Sequence, residues 1–255
     1  MSLSELYQLY LEHPVVTTDT RDCPEGSLFF ALRGANFDGN AFARQALQSG
    51  CAYAVVDDPC VCEAVSASEA SRYILVDDVL TTLQQLAAYH RRQLGIPVIQ
   101  ITGTNGKTTT KELTAAVLAT KWHVLYTQGN FNNHIGVPKT LLRLNSAHQL
   151  AVIETGANHP GEIAELSALV DANCGLITNV GRAHLEGFGS FEGVIHTKGE
   201  LYDYLRQKPG AFIFLDGDNP HLAPIAEGIP AVTYGLPGKG YDVEGEIVAC
   251  NPWLQ

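Results

Sequence analysis

The sequence predicts an α/β protein in two parts: a small N-terminal α/β domain, then a phosphate-loop domain on a doubly wound, mostly parallel sheet. Three observations carry that prediction. Short apolar runs recur along the chain, they alternate regularly with helix-like segments after Pro97, and the run over 98–102 leads straight into Gly103-Thr104-Asn105-Gly106-Lys107-Thr108-Thr109. Continuous apolar strands separated by helices imply a parallel sheet covered on both faces.

In the first part, strands are expected over 27–32, 53–58 and 73–78, with one helical pattern, AFARQALQSG, closing on Gly50. Apolar residues at 80, 83, 86, 87 and 94 then give a helical spacing ended by Gly95 and Pro97, either a hinge or the first helix of the second part. The division is therefore drawn as 1–80 and 81–255. In the second part, strands are expected over 98–102, 123–127, 149–153, 175–180 and 211–215. The passage VEGEIVACNPWLQ up to Gln255 reads as the middle of a strand and loop, so the second domain is expected to be incomplete.

Composition narrows the class. A chain of 255 residues, 45% apolar and 17% charged, is long enough to bury real cores. Its net charge of -11, with sixteen basic residues spread thinly, argues against a nucleic-acid or anionic-membrane surface. The six cysteines are scattered and form no zinc-ligand pattern, which points to reduced structural thiols. With no basic leader and no run of about eighteen apolar residues, a soluble cytoplasmic monomer is expected.

The glycine loop is shorter than the common phosphate-binding form, because the position of the usual first glycine is Ile101, inside the apolar run. Its chemistry is nevertheless that of phosphate binding. Gly103 and Gly106 let backbone N–H groups approach an anion at a helix N-terminus, Lys107 neutralises outer phosphates, and the Thr108 hydroxyl suits Mg²⁺. Glu154 ends the apolar run of QLAVIE, where an acid is poorly solvated unless it meets a cation. His184 and Lys198 occur farther along, in TNVGRAHLEGFGSFEGVIHTKGELY. On chemistry alone they read more readily as a hydrogen-bonded loop histidine and a solvated lysine than as functional groups.

GTNGKTT, ETGANHPGEI, NVGRAHLEGFGS and the Lys-Gly-Glu around Lys198 together resemble the ATP-binding domain of the Mur ligases, ADP-forming amide ligases of peptidoglycan precursor synthesis. TTDTRDCPEGSLFFALRGANFDGNAF and GNFNNHIGVP resemble the members that add D-alanyl-D-alanine (D-Ala-D-Ala) to UDP-N-acetylmuramoyl-tripeptide. The resemblance implies that the loop from Gly103 to Thr109, including Thr104 and Asn105, holds ATP. It implies that Thr108 and Glu154 hold one Mg²⁺, and that His184 and a carbamylated Lys198 hold a second. A carbamate would turn a cation into an oxygen donor suited to a hard ion. Asp19, Thr20 and Arg21 would meet the UDP moiety; Asn130, Asn132 and Asn133 would lie near the peptide, although asparagines in such a loop equally serve turns. Where the family commonly reads Asn-x-Asp-Asp near adenine, this chain has Asp216-Gly-Asp-Asn-Pro220, leaving Asn219 as the candidate contact.

The implied reaction activates the tripeptide carboxylate as an acyl phosphate, which the amine of D-Ala-D-Ala then attacks; Lys107, His184 and Lys198 are the catalytic candidates. The family's third, C-terminal domain is expected to be missing and the chain alone inactive. Two rivals are a folylpolyglutamate synthetase, against which the uridine-binding stretch argues, and a non-catalytic nucleotide- or UDP-sugar-binding module.

Overall fold

The computed structural model describes residues 1–63, 66–181 and 185–249, and two compact units emerge from it. Ser2 and Glu5 cap each other's backbone and start α1 (Leu3–Glu12), a helix outside the predicted set. β1 (Val16–Thr17) and β2 (Leu28–Phe30) come next, then the antiparallel ribbon β3 (Arg33–Gly34) and β4 (Phe37–Asp38). After α2 (Ala43–Gln48) come β5 (Tyr53–Val56), the short α3 (Pro59–Glu63) and α4 (Ala67–Ala70), β6 (Tyr73–Leu75) and the long α5 (Val79–Leu94). The main sheet of this unit runs β1-β2-β5-β6, all parallel. Phe29, Ala43, Ala46, Ala54 and Val56 form one core on it.

The strands are shorter than expected because their polar ends have other work. Asp57 accepts from Arg33, Asn40 and the Val79 N–H, and Asp78 caps α5 by accepting from the Thr81 N–H at 2.6 Å. α5 ends on Gly95, whose φ of 61° is left-handed. The units divide there, between Gly95 and Ile96, and not at 80/81. The reason is packing: Leu83, Leu86 and Ala87 are buried, and His90 on α5 hydrogen-bonds Tyr7 on α1. Residues Pro138–Asn145 also join the first unit, where Tyr10 Oη donates to the Leu142 carbonyl and His90 Nε2 lies 2.9 Å from that of Leu144.

The second unit carries β7 (Val98–Thr102), α6 (Lys107–Leu118) and β8 (Val124–Tyr126). After α7 (Gly136–Leu141), which runs into the first unit's segment, come β9 (Leu150–Glu154), α8 (Glu162–Val170), β10 (Cys174–Ile177), α9 (Leu185–Phe188), α10 (Phe191–Gln207), β11 (Phe212–Asp216), α11 (Leu222–Ile225), β12 (Ala231–Gly235) and β13 (Val243–Glu244). The seven strands are ordered β13-β12-β11-β10-β7-β9-β8 and every pairing is parallel. β12 and β13, beyond the predicted strands, extend one edge. Lys198 sits in the middle of α10. Among the described residues the five cysteines are unbridged, and no helix is long and apolar enough to cross a membrane.

In this order β7 lies between β9 and β10, so the chain leaves the sheet centre in both directions. The carboxyl ends of β7, β9 and β10 therefore face one crevice, the place where open α/β sheets bind ligands.

Candidate functional site

Three strand ends build the site. β7 delivers the loop, β9 delivers Glu154 as its last residue, and Thr178 and Asn179 come directly after β10. Gly103 has φ 141°, and a Cβ there would fall 2.1 Å from Thr178 Oγ1, so both conformation and space require glycine. Gly106, with φ 77°, caps α6 without a side chain and leaves the helix N-terminus open.

Thr178 and Asn179 hold the loop in shape. The Thr178 hydroxyl and the Asn179 side-chain amide both donate to the Asn105 carbonyl, at 2.7 and 2.9 Å. Asn105 N–H donates to Asn179 Oδ1, and Thr104 Oγ1 accepts from the Gly181 N–H at 2.9 Å. These two residues beyond β10 carry no signal of their own in the sequence, where only the histidine of TNVGRAH stands out. Thr109 is exposed on the first turn of α6.

Lys107 is half-buried as the first residue of α6, and its ammonium donates to the carbonyls of Gly103 and Thr104 at 2.9 and 3.0 Å. Burial lowers its pKa, while the Glu154 carboxylate pulls the other way. It thus rests on its own loop, within reach of an anion that would compete for it.

Glu154 is 1% exposed. Its Oε1 accepts from Asn132 Nδ2 at 2.7 Å and from the Thr108 hydroxyl at 3.3 Å, whereas Oε2 is buried with no partner. An unpaired carboxylate oxygen in the interior is costly unless a cation comes to it. One carboxylate beside one threonine hydroxyl is also the sparse oxygen set that Mg²⁺ takes when phosphates and waters complete its shell. The residues present fit that ion.

The three asparagines part company. Asn132 reaches Glu154; Asn133 Oδ1 accepts from the N–H groups of Ile135 and Gly136 and serves the turn into α7; Asn130 is exposed and its carbonyl accepts from Asn132 N–H. Lys198 is buried at 3% exposure, with its ammonium 5.3 Å from the Phe188 ring centre. Burial first, and then the charge of Lys107, push its pKa down to about 8. His184 lies outside the described residues. At the adenine candidate, Asn219 Oδ1 accepts from the His221 N–H, closing a turn after Asp216.

In the first unit, Arg21 clasps Asp19 through Nε and Nη2, at 2.9 and 2.6 Å, and holds that carboxyl down at about 2. Buried Thr17 braces the turn, its hydroxyl donating to the Asp22 carbonyl at 2.7 Å. Thr20 is half-buried between them, and Lys139 of the same unit reaches Thr18 Oγ1 at 3.4 Å. Lys139 had no sequence signal, since only the fold brings it there.

A glycine loop at a sheet switch point, with a lysine opening the following helix and an acid on the neighbouring strand end, is the layout of a phosphate-binding domain. The chain belongs to the Mur ligase family: residues 101–252 match the Mur ligase middle domain, and residues 14–91 match the Mur ligase family catalytic domain. It is 44% identical over 220 residues to the UDP-N-acetylmuramoyl-tripeptide--D-alanyl-D-alanine ligase of Bacillus subtilis, covering 86% of this chain and 47% of that protein. The Escherichia coli enzyme of the same name is 43% identical over 204 residues, covering 80% and 44%. Among solved structures, MurF from Acinetobacter baumannii superposes with a TM-score of 0.79 at 36% identity over 89% of this chain and 48% of that one. MurF from Thermotoga maritima, in complex with ADP, gives 0.77 at 30% identity over 88% and 51%. The chain spans about half the length of the curated relatives it matches.

Proposed function

We propose that this chain forms the UDP-sugar-binding and ATP-binding parts of an ATP-dependent ligase that joins D-Ala-D-Ala to UDP-N-acetylmuramoyl-tripeptide. The observation that carries the reading is the unpartnered Glu154 Oε2 at the end of β9, beside the β7 edge that leads into the Lys107 loop, in a chain whose relatives bear that activity in their names. The first unit is the UDP-sugar part, with Asp19, Thr20 and Arg21 as its contacts and Lys139 adding positive charge for a diphosphate. The reading makes the protein a cytoplasmic enzyme.

The loop N–H groups and the α6 N-terminus bind the β- and γ-phosphates, and Lys107 leaves its carbonyls to neutralise them. Thr108 and Glu154 would hold Mg²⁺, which supplies charge neutralisation on the phosphates. Transfer of the γ-phosphoryl group to the tripeptide carboxylate releases ADP and leaves an acyl phosphate. The amine of D-Ala-D-Ala attacks the acyl carbon, the C–N bond forms as phosphate departs, and the amine gives up a proton. Positioning and charge do the work, with no covalent nucleophile from the protein.

Lys198, carbamylated, is proposed to hold a second Mg²⁺ together with His184. Its lowered pKa favours the neutral amine that carbamylation requires. Asn219 is proposed at the adenine and Asn130 and Asn133 at the peptide.

The test is ligation. Fused to the C-terminal half of the Bacillus subtilis relative, the chain should turn over ATP continuously only when ATP, UDP-N-acetylmuramoyl-tripeptide and D-Ala-D-Ala are all present. ATP turnover indifferent to D-Ala-D-Ala would contradict the proposal.

A further inference from the structure

α6 presents two buried residues to the sheet, Ala115 and Lys111. A leucine at 111 would meet the packing requirement at no electrostatic cost, yet this lysine is 0% exposed. A buried cation at a packing position breaks the local rule, and such exceptions concentrate where a site needs them.

The Lys111 ammonium donates to the carbonyls of Thr127 and Gly129, at 2.6 and 3.3 Å, and pairs with Glu112 at 2.8 Å. The Tyr126 ring centre lies 5.8 Å away. Thr127 and Gly129 begin the loop that leaves β8, and their carbonyls turn toward α6, where each needs a donor. The same loop reaches Glu154 twice, once at its backbone and once at its carboxylate. Thr127 Oγ1 accepts from the Glu154 N–H at 3.0 Å, and Asn132 Nδ2 donates to Glu154 Oε1 at 2.7 Å. Beyond it, the Asn132 carbonyl accepts from the Gly156 N–H at 2.8 Å. One cation on the phosphate-loop helix thus ties down the segment that occupies one oxygen of Glu154 and leaves the other open.

We propose that Lys111 is a positioning residue for the metal–nucleotide site: by clamping the Thr127–Gly129 carbonyls it sets Asn132 on Glu154 Oε1, so that Oε2 faces the cation. This rests on the reading of the second unit as a Mg²⁺–ATP site. Lys111 touches neither nucleotide nor metal, and its effect passes through Asn132. Losing it should weaken the Mg²⁺-dependent part of nucleotide binding and spare the part due to Lys107 and the loop amides.

The experiment is calorimetric titration of ATP onto the 255-residue chain over a range of Mg²⁺ concentrations and with the metal chelated. Lys111→Met should bind metal-free ATP as the native chain does, but need about tenfold or more Mg²⁺ for the same affinity, the usual cost of losing an outer partner of a metal ligand. Asn132→Ala, in a half-buried loop position, should show the same shift, and the double variant should be no worse than Asn132→Ala alone. Lys111→Arg, which keeps the cation and its donors, should recover part of the Mg²⁺ response. A purely structural lysine would lower the unfolding midpoint without separating the two binding modes. A native Mg²⁺ response in Lys111→Met overturns the proposal, and so does additivity in the double variant. If the Met variant does not fold, Asn132→Ala decides: a native Mg²⁺ response there removes the route through which Lys111 acts. Should the native chain itself bind ATP without any Mg²⁺ dependence, the functional reading falls first, and that result is distinct from the others.

Discussion

The Asn132 side-chain amide lies 2.7 Å from Glu154 Oε1, while Glu154 Oε2 is buried with nothing to accept from. One oxygen of the carboxylate is thus satisfied and the other is buried and unpaired. That asymmetry has a cost unless a cation meets the unused oxygen, because a buried anion forgoes its hydration.

Glu154→Gln should therefore make the ligand-free protein more stable, by about 1 kcal/mol, while it loses the Mg²⁺-dependent part of ATP binding. Urea unfolding of both forms checks the first half. A clear loss of stability would show that Glu154 holds the fold and is not a ligand in waiting.

Lys107→Ala should leave the fold intact and lower ATP affinity by about tenfold or more, the scale of one charge-assisted contact. The lysine caps only carbonyls of its own loop, which water can reach once it is gone. Loss of the cooperative unfolding transition would instead make Lys107 structural.

Lys198 should take up CO₂. With its pKa pushed down to about 8, about half of the amine is neutral at that pH, where an ordinary lysine is almost wholly charged. Labelled bicarbonate should give a carbamate carbon signal that rises as pH passes through 8 and is missing in Lys198→Met. A signal that survives in Lys198→Met would come from another amine and would sink the assignment.

Stability should fall as the solution is acidified through the ordinary histidine range. Burial lowers the pKa of His90, and the Leu144 carbonyl only partly offsets it. The unfolded chain therefore binds a proton, near pH 6.5, before the folded one does, and the folded state loses ground as pH drops below that value. In the neutral ring Nε2–H donates to Leu144 and Nδ1 accepts from Tyr7. His90→Gln should flatten this dependence, and an unchanged pH slope of the urea midpoint in that variant would place the titrating group elsewhere.

Much of the second unit was legible because a parallel sheet needs continuous apolar strands, and such runs are visible. The loop and Glu154 were legible for the same reason, each sitting where a strand stops. α1 was missed because its signal lies in the capping pair Ser2 and Glu5 and not in a long apolar period. The division at Gly95 was hidden because α5 owes its allegiance to Tyr7 and α1, far away in sequence. Lys111 was invisible because an interior helix lysine reads as solvated; only the fold brings the Thr127 and Gly129 carbonyls to it. Among the asparagines, composition alone could not separate Asn132, which meets Glu154, from Asn133, which closes a turn.

The most direct test of the central claim, that Lys107 and Glu154 together form a Mg²⁺–ATP site, is one calorimetric comparison of ATP binding to the native chain with and without Mg²⁺, repeated on Glu154→Gln. The account predicts saturable binding at one site in the native chain, strengthened by Mg²⁺, and binding in Glu154→Gln that Mg²⁺ no longer strengthens. Binding strengthened equally by Mg²⁺ in both proteins would contradict it.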